Sequence, residues 1–479
     1  MMTKKYLIYI AFFSISTVFC SCKDNWEVHN ELKNVDNTID LAQKIDSQAD
    51  ISVFNGFVKS TGYDKVLASA QNYTVWAPSN AALAGLDAAI VADPVKLKDF
   101  VANHIALSTY PLSTKSNDTL RVKLLNSKYA NIIDAKFEES NIVGNGQFVK
   151  NGVLYKVDQA VPSRLNIWDY MLSSTDANLQ KNYINALSIS VIDSANATII
   201  GYNALGRPIF APNPPMVSRN TYWVNVADLR AEAQEYTYFM LQDAAFTSET
   251  AKLANYYPSV DPNLSASFYV VKDLTVKGVY TADKLPDTLL SVRGVKIPLN
   301  KGNVVKSYRA SNGIVHVLKA LPFRLTDKVP VFKVEGELPL SFSASRTISY
   351  RTKLDDKGKQ YKDIQVYNHL LSEFSVFYVR ANVPTVKYKV YARAISGALG
   401  DSQVAAFTQR FFFLNPGTAT FNLTFTHLVN PLTYTETYLG EYTPATFGNL
   451  NFRLTSAATT AVNVNTLILD YLRFEPVLP

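Results

Sequence analysis

One local pattern occurs twice in the chain and constrains its fold more than any other feature. From Tyr73 to Leu83 a short β-prone stretch meets a proline that blocks the strand, and Ser79 or Asn80 follows in position to cap a helix. Tyr236 to Phe246 repeats the strand, the turn and the helix start, with Asp243 as the expected cap. The repetition predicts two modules of the same α+β kind.

The first copy resembles the fasciclin (FAS1) family of domains. Tyr73 to Leu83 is similar to the family's opening motif, Tyr-Thr-Val-Phe-Ala-Pro-(Ser/Thr)-Asn-x-Ala-Phe. Asn151 to Asp158 is similar to its closing Asn-Gly-Val motif, and Leu97 to Ile105 resembles the helix end that lies between the two. The resemblance implies an α+β domain at 39–163 that serves adhesion or binding without catalysis.

The second copy resembles the same family with more substitutions. The closing motif returns as Ser311 to Leu318, whereas Met-Leu-Gln-Asp replaces Ala-Pro-Ser-Asn in the opening motif. The resemblance implies a divergent FAS1-like domain at 164–328. Its proline-containing stretch from Gly201 to Thr221 predicts a surface loop or meander, the kind of segment in which binding residues concentrate.

Helical periodicity largely disappears after Pro330. The apolar runs that follow are β-rich, mostly alternating and separated by turn residues, which predicts an all-β sandwich at 329–479. Val390 to Arg393 and Leu467 to Val477 resemble the last two strands of jelly-roll carbohydrate-binding modules. The predicted fold class is therefore multidomain, with two α+β FAS1-like domains followed by a jelly-roll-like β-sandwich.

The N-terminus has the layout of an export signal. Lys4 and Lys5 precede a short apolar run, and the segment ends at Cys20-Ser21-Cys22, which resembles the cleavage box of bacterial lipoproteins. The resemblance implies a signal peptide at 1–21, lipidation of Cys22 and a lipid-anchored tether at 22–38. Lys23 to Glu27 resembles the surface-export tag of Bacteroidetes lipoproteins, which implies an outer-membrane, lipid-anchored protein exposed at the cell surface.

Composition argues against most catalytic chemistry. Both cysteines lie in the first 22 residues, and the five histidines are scattered along the chain, so we predict no catalytic residues, no metal site and no cofactor. His104 and His316 occupy family motif positions, where packing or hydrogen bonding is favoured over catalysis. The chain has a net charge of +7, and its Lys and Arg residues are interspersed with 40 acidic residues. This distribution predicts a solubilised surface and no nucleic-acid partner.

Three tyrosines are the candidate ligand-binding residues. Tyr434, Tyr438 and Tyr442 are spaced by four, so they share one face if the segment stays extended. Exposed aromatic faces bind sugar rings and also anchor protein interfaces. The alternative is that all three are half-buried residues of the sandwich.

These expectations together indicate a cell-surface binding protein without enzymatic activity. Proteins of this build resemble accessory lipoproteins of SusC/SusD-type outer-membrane uptake complexes, which implies transporter subunits as partners and a polysaccharide or peptide as ligand. Two alternatives remain open. One is a structural scaffold that bridges subunits and has no ligand of its own, and the other is a glycan-active enzyme with paired carboxylates in a cleft of the sandwich.

Overall fold

A computed structural model describes residues 36–112, 119–343, 347–366, 374–401, 404–457 and 466–479. The predicted signal peptide, Cys22 and most of the tether lie outside the described residues. The chain divides into two compact units, Met1–Leu165 and Asn166–Pro479. Within the described ranges, no helix has the length and apolar character needed to cross a membrane.

The first unit combines short helices with one mixed sheet. Its helices are α1 (Leu41–Asp46), α2 (Ser52–Ser60), α3 (Tyr63–Leu67), α4 (Asn80–Leu83), α5 (Ala88–Ala92) and α6 (Pro94–Ala102). Its strands are β1 (Tyr73–Pro78), β2 (Ile105–Leu107), β3 (Leu120–Lys123), β4 (Tyr129–Ile133), β5 (Lys136–Phe137), β6 (Ser140–Val149) and β7 (Gly152–Val157). They form a sheet of order β2-β1-β7-β6-β5-β4-β3, in which β1 and β7 run parallel.

An Asn-Gly step holds the first unit together. The Asn151 side chain accepts a hydrogen bond from the Leu41 N–H at 2.8 Å and donates one to the Leu67 carbonyl at 2.7 Å. Gly152 has φ of 148°, and a Cβ there would lie 1.9 Å from the Tyr73 carbonyl oxygen. Since only glycine fits so close to β1, the Asn-Gly pair fixes the register between β1 and β7.

The second unit begins with another α+β module. Its helices are α7 (Ile167–Ser173), α8 (Asn178–Ala186), α9 (Thr221–Asn225), α10 (Asp243–Ala254), α11 (Ala266–Val271) and α12 (Leu325–Lys328). Its strands are β8 (Ser188–Ile192), β9 (Ile199–Tyr202), β10 (Pro208–Phe210), β11 (Met216–Asn220), β12 (Tyr236–Leu241), β13 (Thr275–Lys277), β14 (Thr288–Leu290), β15 (Lys296–Pro298), β16 (Val304–Ala310) and β17 (Gly313–Leu318). The main sheet has the order β13-β12-β17-β16.

This module repeats the central strand pairings of the first unit and its Asn-Gly contacts. β12 pairs antiparallel with β13 and parallel with β17, as β1 does with β2 and β7. The Asn312 side chain accepts from the Ile167 N–H and donates to the Leu229 carbonyl, each at 2.8 Å. A Cβ at Gly313 would meet the Tyr236 carbonyl oxygen at 1.9 Å. The two modules therefore share the pairing of these three strands and the Asn-Gly contacts beside it.

The two turns that were expected to supply helix caps differ in detail. Ser79 caps α4 by accepting from the Ala82 N–H at 3.1 Å. The prediction that Asp243 caps α10 is wrong, because its carboxylate accepts from the Leu179 N–H of α8 at 2.8 Å. Asn80 makes the equivalent bond to the Val53 N–H of α2 at 2.9 Å. In both modules the residue at this position therefore binds the N-terminal end of a helix that precedes the strand. This is a long-range contact that the local sequence pattern does not reveal.

The rest of the second unit is a β-sandwich. Its strands are β18 (Phe332–Glu335), β19 (Ser341–Phe342), β20 (Ser349–Leu354), β21 (Gln360–Val366), β22 (Ser375–Val383), β23 (Tyr388–Arg393), β24 (Phe407–Leu414), β25 (Phe421–Val429), β26 (Thr437–Tyr442), β27 (Gly448–Ser456), β28 (Leu467–Leu469) and β29 (Tyr471–Pro476). They form sheets of order β18-β29-β23-β26, β19-β22-β27-β24-β25 and β20-β21-β28. The predicted fold class, α+β structure followed by an all-β sandwich, is confirmed.

The second α+β module and the sandwich share one hydrophobic core. Tyr257 stacks on Tyr269 at 3.6 Å between ring centres and meets Phe447 of the sandwich edge to face at 5.4 Å. The Thr385 N–H donates to the Tyr256 carbonyl at 3.0 Å. Buried residues from both parts belong to a single apolar cluster. These contacts make the module and the sandwich one packed body.

Candidate binding surfaces

The three candidate tyrosines do not share one face. Tyr438 is 52% exposed and lies beside Tyr391, with ring centres 5.3 Å apart. Tyr442 turns to the core, where its ring meets Phe413 at 4.5 Å. The predicted shared face is wrong because the pairing of β26 with β23 shifts at Val390/Tyr391, which places Tyr438 and Tyr442 on opposite sides of the strand.

Tyr434 lies at a third place, before β26, against Tyr361, Ile395 and Ala398. The structure therefore does not bring the three tyrosines together into one platform. Their ligand-binding role stays a prediction, with Tyr438 as the exposed member.

A network of carboxylates and cations occupies the sandwich beside Tyr434. Arg351 binds both oxygens of Asp363, at 2.8 and 2.5 Å, and reaches Asp401 at 2.8 Å. Arg393 donates to Asp470 at 2.5 Å and to the Tyr434 carbonyl at 3.0 Å. Burial raises the pKa of Asp470 to about 6 and raises the pKa of Asp363, although their arginine partners oppose both shifts.

The ion pairs of these carboxylates indicate a role in stabilising the sandwich more than a role in glycoside hydrolysis. Glycosidases need one carboxyl that can give a proton and a second that can attack or activate water. Here Asp363, Asp401 and Asp470 each receive hydrogen bonds from a guanidinium. No group of residues suited to hold a metal ion occurs in the part of the chain that the structure describes.

Two motif histidines tie segments of each module together. His104 is fully buried, with Nδ1 2.8 Å from the Phe100 carbonyl and Nε2 3.3 Å from the Val161 N–H. Burial lowers the pKa of His104 to about 4, so the ring is neutral and donates from Nδ1. His316 lies with its ring nitrogens 2.8 Å from the Ser307 hydroxyl and 2.8 Å from the Tyr280 carbonyl.

One exposed surface is a β-ribbon at 188–220, which we call the arm. β8 pairs with β11 and β9 pairs with β10, each as an isolated two-stranded sheet. The first unit joins the corresponding helices α2 and α3 by Thr61 and Gly62 alone. The arm is thus an elaboration of the second module, and part of it was expected as the loop from Gly201 to Thr221.

The arm presents an apolar surface that the module does not cover. Nine of its large apolar side chains are 39% to 78% exposed: Ile189, Ile192, Ile199, Ile200, Tyr202, Leu205, Ile209, Met216 and Val217. Its charged residues are Asp193, Arg207 and Arg219. Isolated two-stranded ribbons are marginally stable in water, and apolar patches of this kind mark interaction sites.

A second candidate surface lies where the α+β module meets the sandwich, and we call it the junction groove. Two adjoining cavities of about 430 and 400 Å³ share Tyr269, Lys272 and Asn382 in their walls. Arg293 extends the first cavity and Arg380 extends the second. Sequence reasoning missed this groove, because its residues come from segments more than a hundred positions apart and no local pattern links them.

A buried ion pair forms the floor of the junction groove. Lys328 Nζ lies 2.6 Å from the Asp273 carboxylate, and both side chains are almost fully buried. Lys328 also donates to the Tyr269 carbonyl at 2.8 Å. Burial of Lys328 lowers its pKa, and the neighbouring Asp273 carboxylate opposes that shift.

Known solved structures show similarity of low degree to this chain. A FAS1 domain pair from the insect cell adhesion molecule fasciclin I is 14% identical, with 58% of this chain and 99% of that chain covered and a TM-score of 0.23. A xylan-binding domain from Paenibacillus barcinonensis is 12% identical, with 31% and 95% covered and a TM-score of 0.22. A family 35 carbohydrate binding module from Clostridium thermocellum is 14% identical, with 31% and 99% covered and a TM-score of 0.21.

The sequence comparison is more specific for one region. No curated protein matches the chain. The family model described as "Fasciclin domain" matches residues 49–162, within the first unit. Residues 49–162 therefore form a fasciclin domain, as the residues of the opening and closing motifs predicted.

Proposed function

We propose that this protein is a non-enzymatic binding protein of the cell surface, held in the outer membrane by lipid on Cys22. In this proposal it serves as an accessory subunit of a SusC/SusD-type uptake complex for glycans or peptides. The fasciclin domain at 49–162 supports a role in adhesion or binding. The arm carries the proposal of a protein partner, because it exposes apolar side chains that nothing in its own unit covers.

The chemistry of the arm defines what can bind it. Leu205 and Tyr202, at 78% and 66% exposed, lie at and beside the turn between β9 and β10. The arm has few charges, so the complementary surface is apolar and nearly uncharged. Both pairs of strands also keep free edges, which can accept a strand of a partner. A partner protein with an apolar groove or an open sheet edge fits these properties.

Capture of the native complex tests this proposal. The full-length lipoprotein, expressed from its own locus with a C-terminal tag, is purified from detergent-solubilised outer membranes, and its co-purifying proteins are identified. Variant I200S/L205S should lose its membrane-protein partner, because it removes two exposed apolar anchors of the arm. The matched control is Val260→Ser, an exposed apolar residue of the same unit that lies off the arm.

Four results bear on the proposal. Loss of a transporter-type partner in the arm variant, with retention in the control, supports it. Equal capture by both variants would remove the arm from the account. Absence of any membrane-protein partner would contradict the uptake role, and a wild-type chain found without lipid on Cys22 would contradict the anchor.

The scaffold alternative is favoured by the arm and opposed by the junction groove. A scaffold that bridges subunits needs apolar patches and no ligand cleft of its own. The chain has such a patch and, in addition, a polar cleft lined by cations. A protein with both features fits partner docking and ligand capture together.

A further inference from the structure

The charges that line the junction groove are not balanced. Asp273 and Asp327 are paired, with Lys328 and Arg324 respectively. Lys272, Arg293 and Arg380 form no ion pair with a carboxylate among the described residues, and Asp261 is the one lining carboxylate left without a cation. Three cations thus converge on a cleft that holds a single uncompensated acid.

Aromatic rings position two of these cations at the cleft. Lys272 Nζ lies 3.5 Å above the centre of the Tyr269 ring, and the other face of that ring stacks on Tyr257. The Arg380 guanidinium lies 5.4 Å from the centre of the Phe332 ring. Rings hold a cation in place without neutralising it, so the charges stay available to an anion.

The sandwich contributes a strained residue to the same cleft. The pairing of β22 with β27 shifts between Arg380 and Val383, and Asn382, inside that bulge, has φ of 58°. A residue other than glycine in this conformation is uncommon, and bulges often re-aim side chains at functional sites. Asn382 lines both cavities, and Asn225 and Asn263 line the first. The groove therefore combines amide groups with guanidinium and ammonium groups.

From this combination we infer that the junction groove binds an acidic oligosaccharide, with Arg293, Arg380 and Lys272 holding its carboxylates and the amides of Asn225 and Asn382 holding its hydroxyls. Guanidinium groups bind carboxylates through paired, charge-assisted hydrogen bonds. Amides both donate and accept, as sugar hydroxyls do. This inference deepens the proposed function by naming the ligand class, and it rests on that function only for the biological source of the ligand.

A binding measurement on the soluble part of the full chain, residues 23–479, tests the inference without any membrane partner. The probe is an oligogalacturonate, titrated by calorimetry at low salt, and the control ligand is the same oligomer with its carboxylates methyl-esterified. We expect binding of the acid form, no measurable binding of the ester, and at least a tenfold loss of affinity on raising the salt concentration from about 0.05 M to 0.5 M.

Variants locate the site. R293Q and R380Q should each weaken binding at least tenfold, whereas Lys389→Gln, an exposed lysine of the sandwich outside the groove, should leave the affinity unchanged. Asn382→Gly keeps the backbone free to adopt φ of 58° and removes the amide, so it should weaken binding about three- to tenfold without unfolding the protein. Circular dichroism and thermal unfolding of each variant confirm the fold.

The pH dependence adds an independent readout. Burial lowers the pKa of Lys272 to about 8, Asp273 raises it, and Lys328 and Arg293 lower it. Lys272 is charged below that pH, so affinity should fall as the pH rises through 8, and K272M should abolish that fall.

Other outcomes overturn the inference. Equal binding of the acid and the methyl ester would show that carboxylates are not recognised. Equal affinity for poly-glutamate would show a general polyanion surface. Absence of binding, or unchanged affinity in R293Q, R380Q and N382G, would also contradict it. None of these results depends on whether the arm captures a membrane protein, so the two proposals fail separately.

Discussion

The two α+β modules share a frame and differ in what that frame carries. In each, a buried asparagine joins the first helix to a backbone carbonyl just before the central strand, and the following glycine lets two parallel strands approach. The second module adds the arm and a charged helix end, where Asp273 stands at the place that Asn103 has in the first. The shared contacts stabilise each module, whereas the arm and the junction groove arise where the two modules differ.

Even the shared frame is built with different side chains. Tyr155 of β7 donates to the Tyr110 carbonyl at 3.0 Å, and His316 of β17 makes the equivalent contact with the Tyr280 carbonyl at 2.8 Å. In both modules a threonine hydroxyl, of Thr74 or Thr237, accepts from the N–H of that same tyrosine at 2.9 Å. A histidine at the motif position therefore supplies a hydrogen bond that a tyrosine supplies equally well.

The largest effect is expected from the shared glycines. Gly152→Ala should destabilise the first unit, and Gly313→Ala the second, each by more than about 5 kcal/mol, because a Cβ 1.9 Å from a carbonyl oxygen forces the strands apart. Chemical denaturation of the full chain, followed by limited proteolysis, assigns each loss to its unit. Gly56→Ala in α2 is the control, since no atom lies within 4 Å of its added Cβ. Loss of both units in either variant would contradict two independent frames.

The next largest effect is expected at the charged helix end of the second module, and it can be compared with the neutral helix end at Asn103 in the first. Lys328→Met should cost about 3–5 kcal/mol in the second unit because it leaves the Asp273 carboxylate buried without its cation. The double variant D273N/K328M should recover part of that loss. In the first unit Asn103→Ala, which removes a hydrogen bond to the Val161 carbonyl, should cost only about 1–2 kcal/mol. Urea denaturation curves measure all three, and equal losses for Lys328→Met and Asn103→Ala would remove this contrast.

A third test uses acid. His104 has a pKa lowered to about 4 by burial, so between pH 6.5 and 4 the unfolded state binds a proton that the folded state does not. The first unit should therefore lose up to roughly 3 kcal/mol of stability as the pH falls through that window. His104→Gln should flatten this dependence whatever it does to stability at pH 7. An unchanged slope in H104Q would show that other groups dominate.

In the second unit the same change acts on groups of opposite effect, so its loss of stability in acid should be smaller than its two buried histidines alone would cause. Burial lowers the pKa of His427 to about 4 and also lowers the pKa of His316, so both histidines make acid destabilising. Asp470 acts in the opposite sense, because its pKa is raised to about 6 and its contribution to stability grows as the pH falls from 6 towards 4. Thermal unfolding of both units between pH 4 and 7 compares the slopes directly.

The smallest effect is expected at a helix cap. Asp93 accepts hydrogen bonds from the Val95 and Lys96 N–H groups at the start of α6, so Asp93→Ala should cost about 1 kcal/mol. Asp93→Asn, which keeps the accepting oxygen, should cost less. Denaturation midpoints of the first unit decide between them, and equal losses would show that the charge matters more than the hydrogen bond.

Local sequence predicted the parts of the fold that local forces determine. The strand, proline and helix start at Tyr73 to Leu83 were predictable because turn and capping residues act over a few positions, and the alternation after Pro330 predicted the sandwich. The shared face of Tyr434, Tyr438 and Tyr442 was wrong because a single bulge reverses the side on which a side chain emerges. Asp243 was misplaced as a cap because its partner, Leu179, is distant in sequence.

The binding surfaces were harder to predict for the same reason. The arm was expected only as a loop, since its strands pair without a core that would impose strong alternation. Lys272, Arg293 and Arg380 come together only when the sandwich packs on α11 and the hairpin of β14 and β15. The charge of a groove depends on which residues tertiary packing brings together, and no spacing of residues in the sequence predicts it.

Amide hydrogen exchange of the full chain, with and without saturating oligogalacturonate, tests most directly the claim that the acidic ligand binds the junction groove of the second unit. We expect protection at Ala381 and Asn382 in the β22 bulge and at the C-terminal end of α11, with no change at 36–165. Protection within 36–165, or ligand-induced protection nowhere in the second unit, would contradict it.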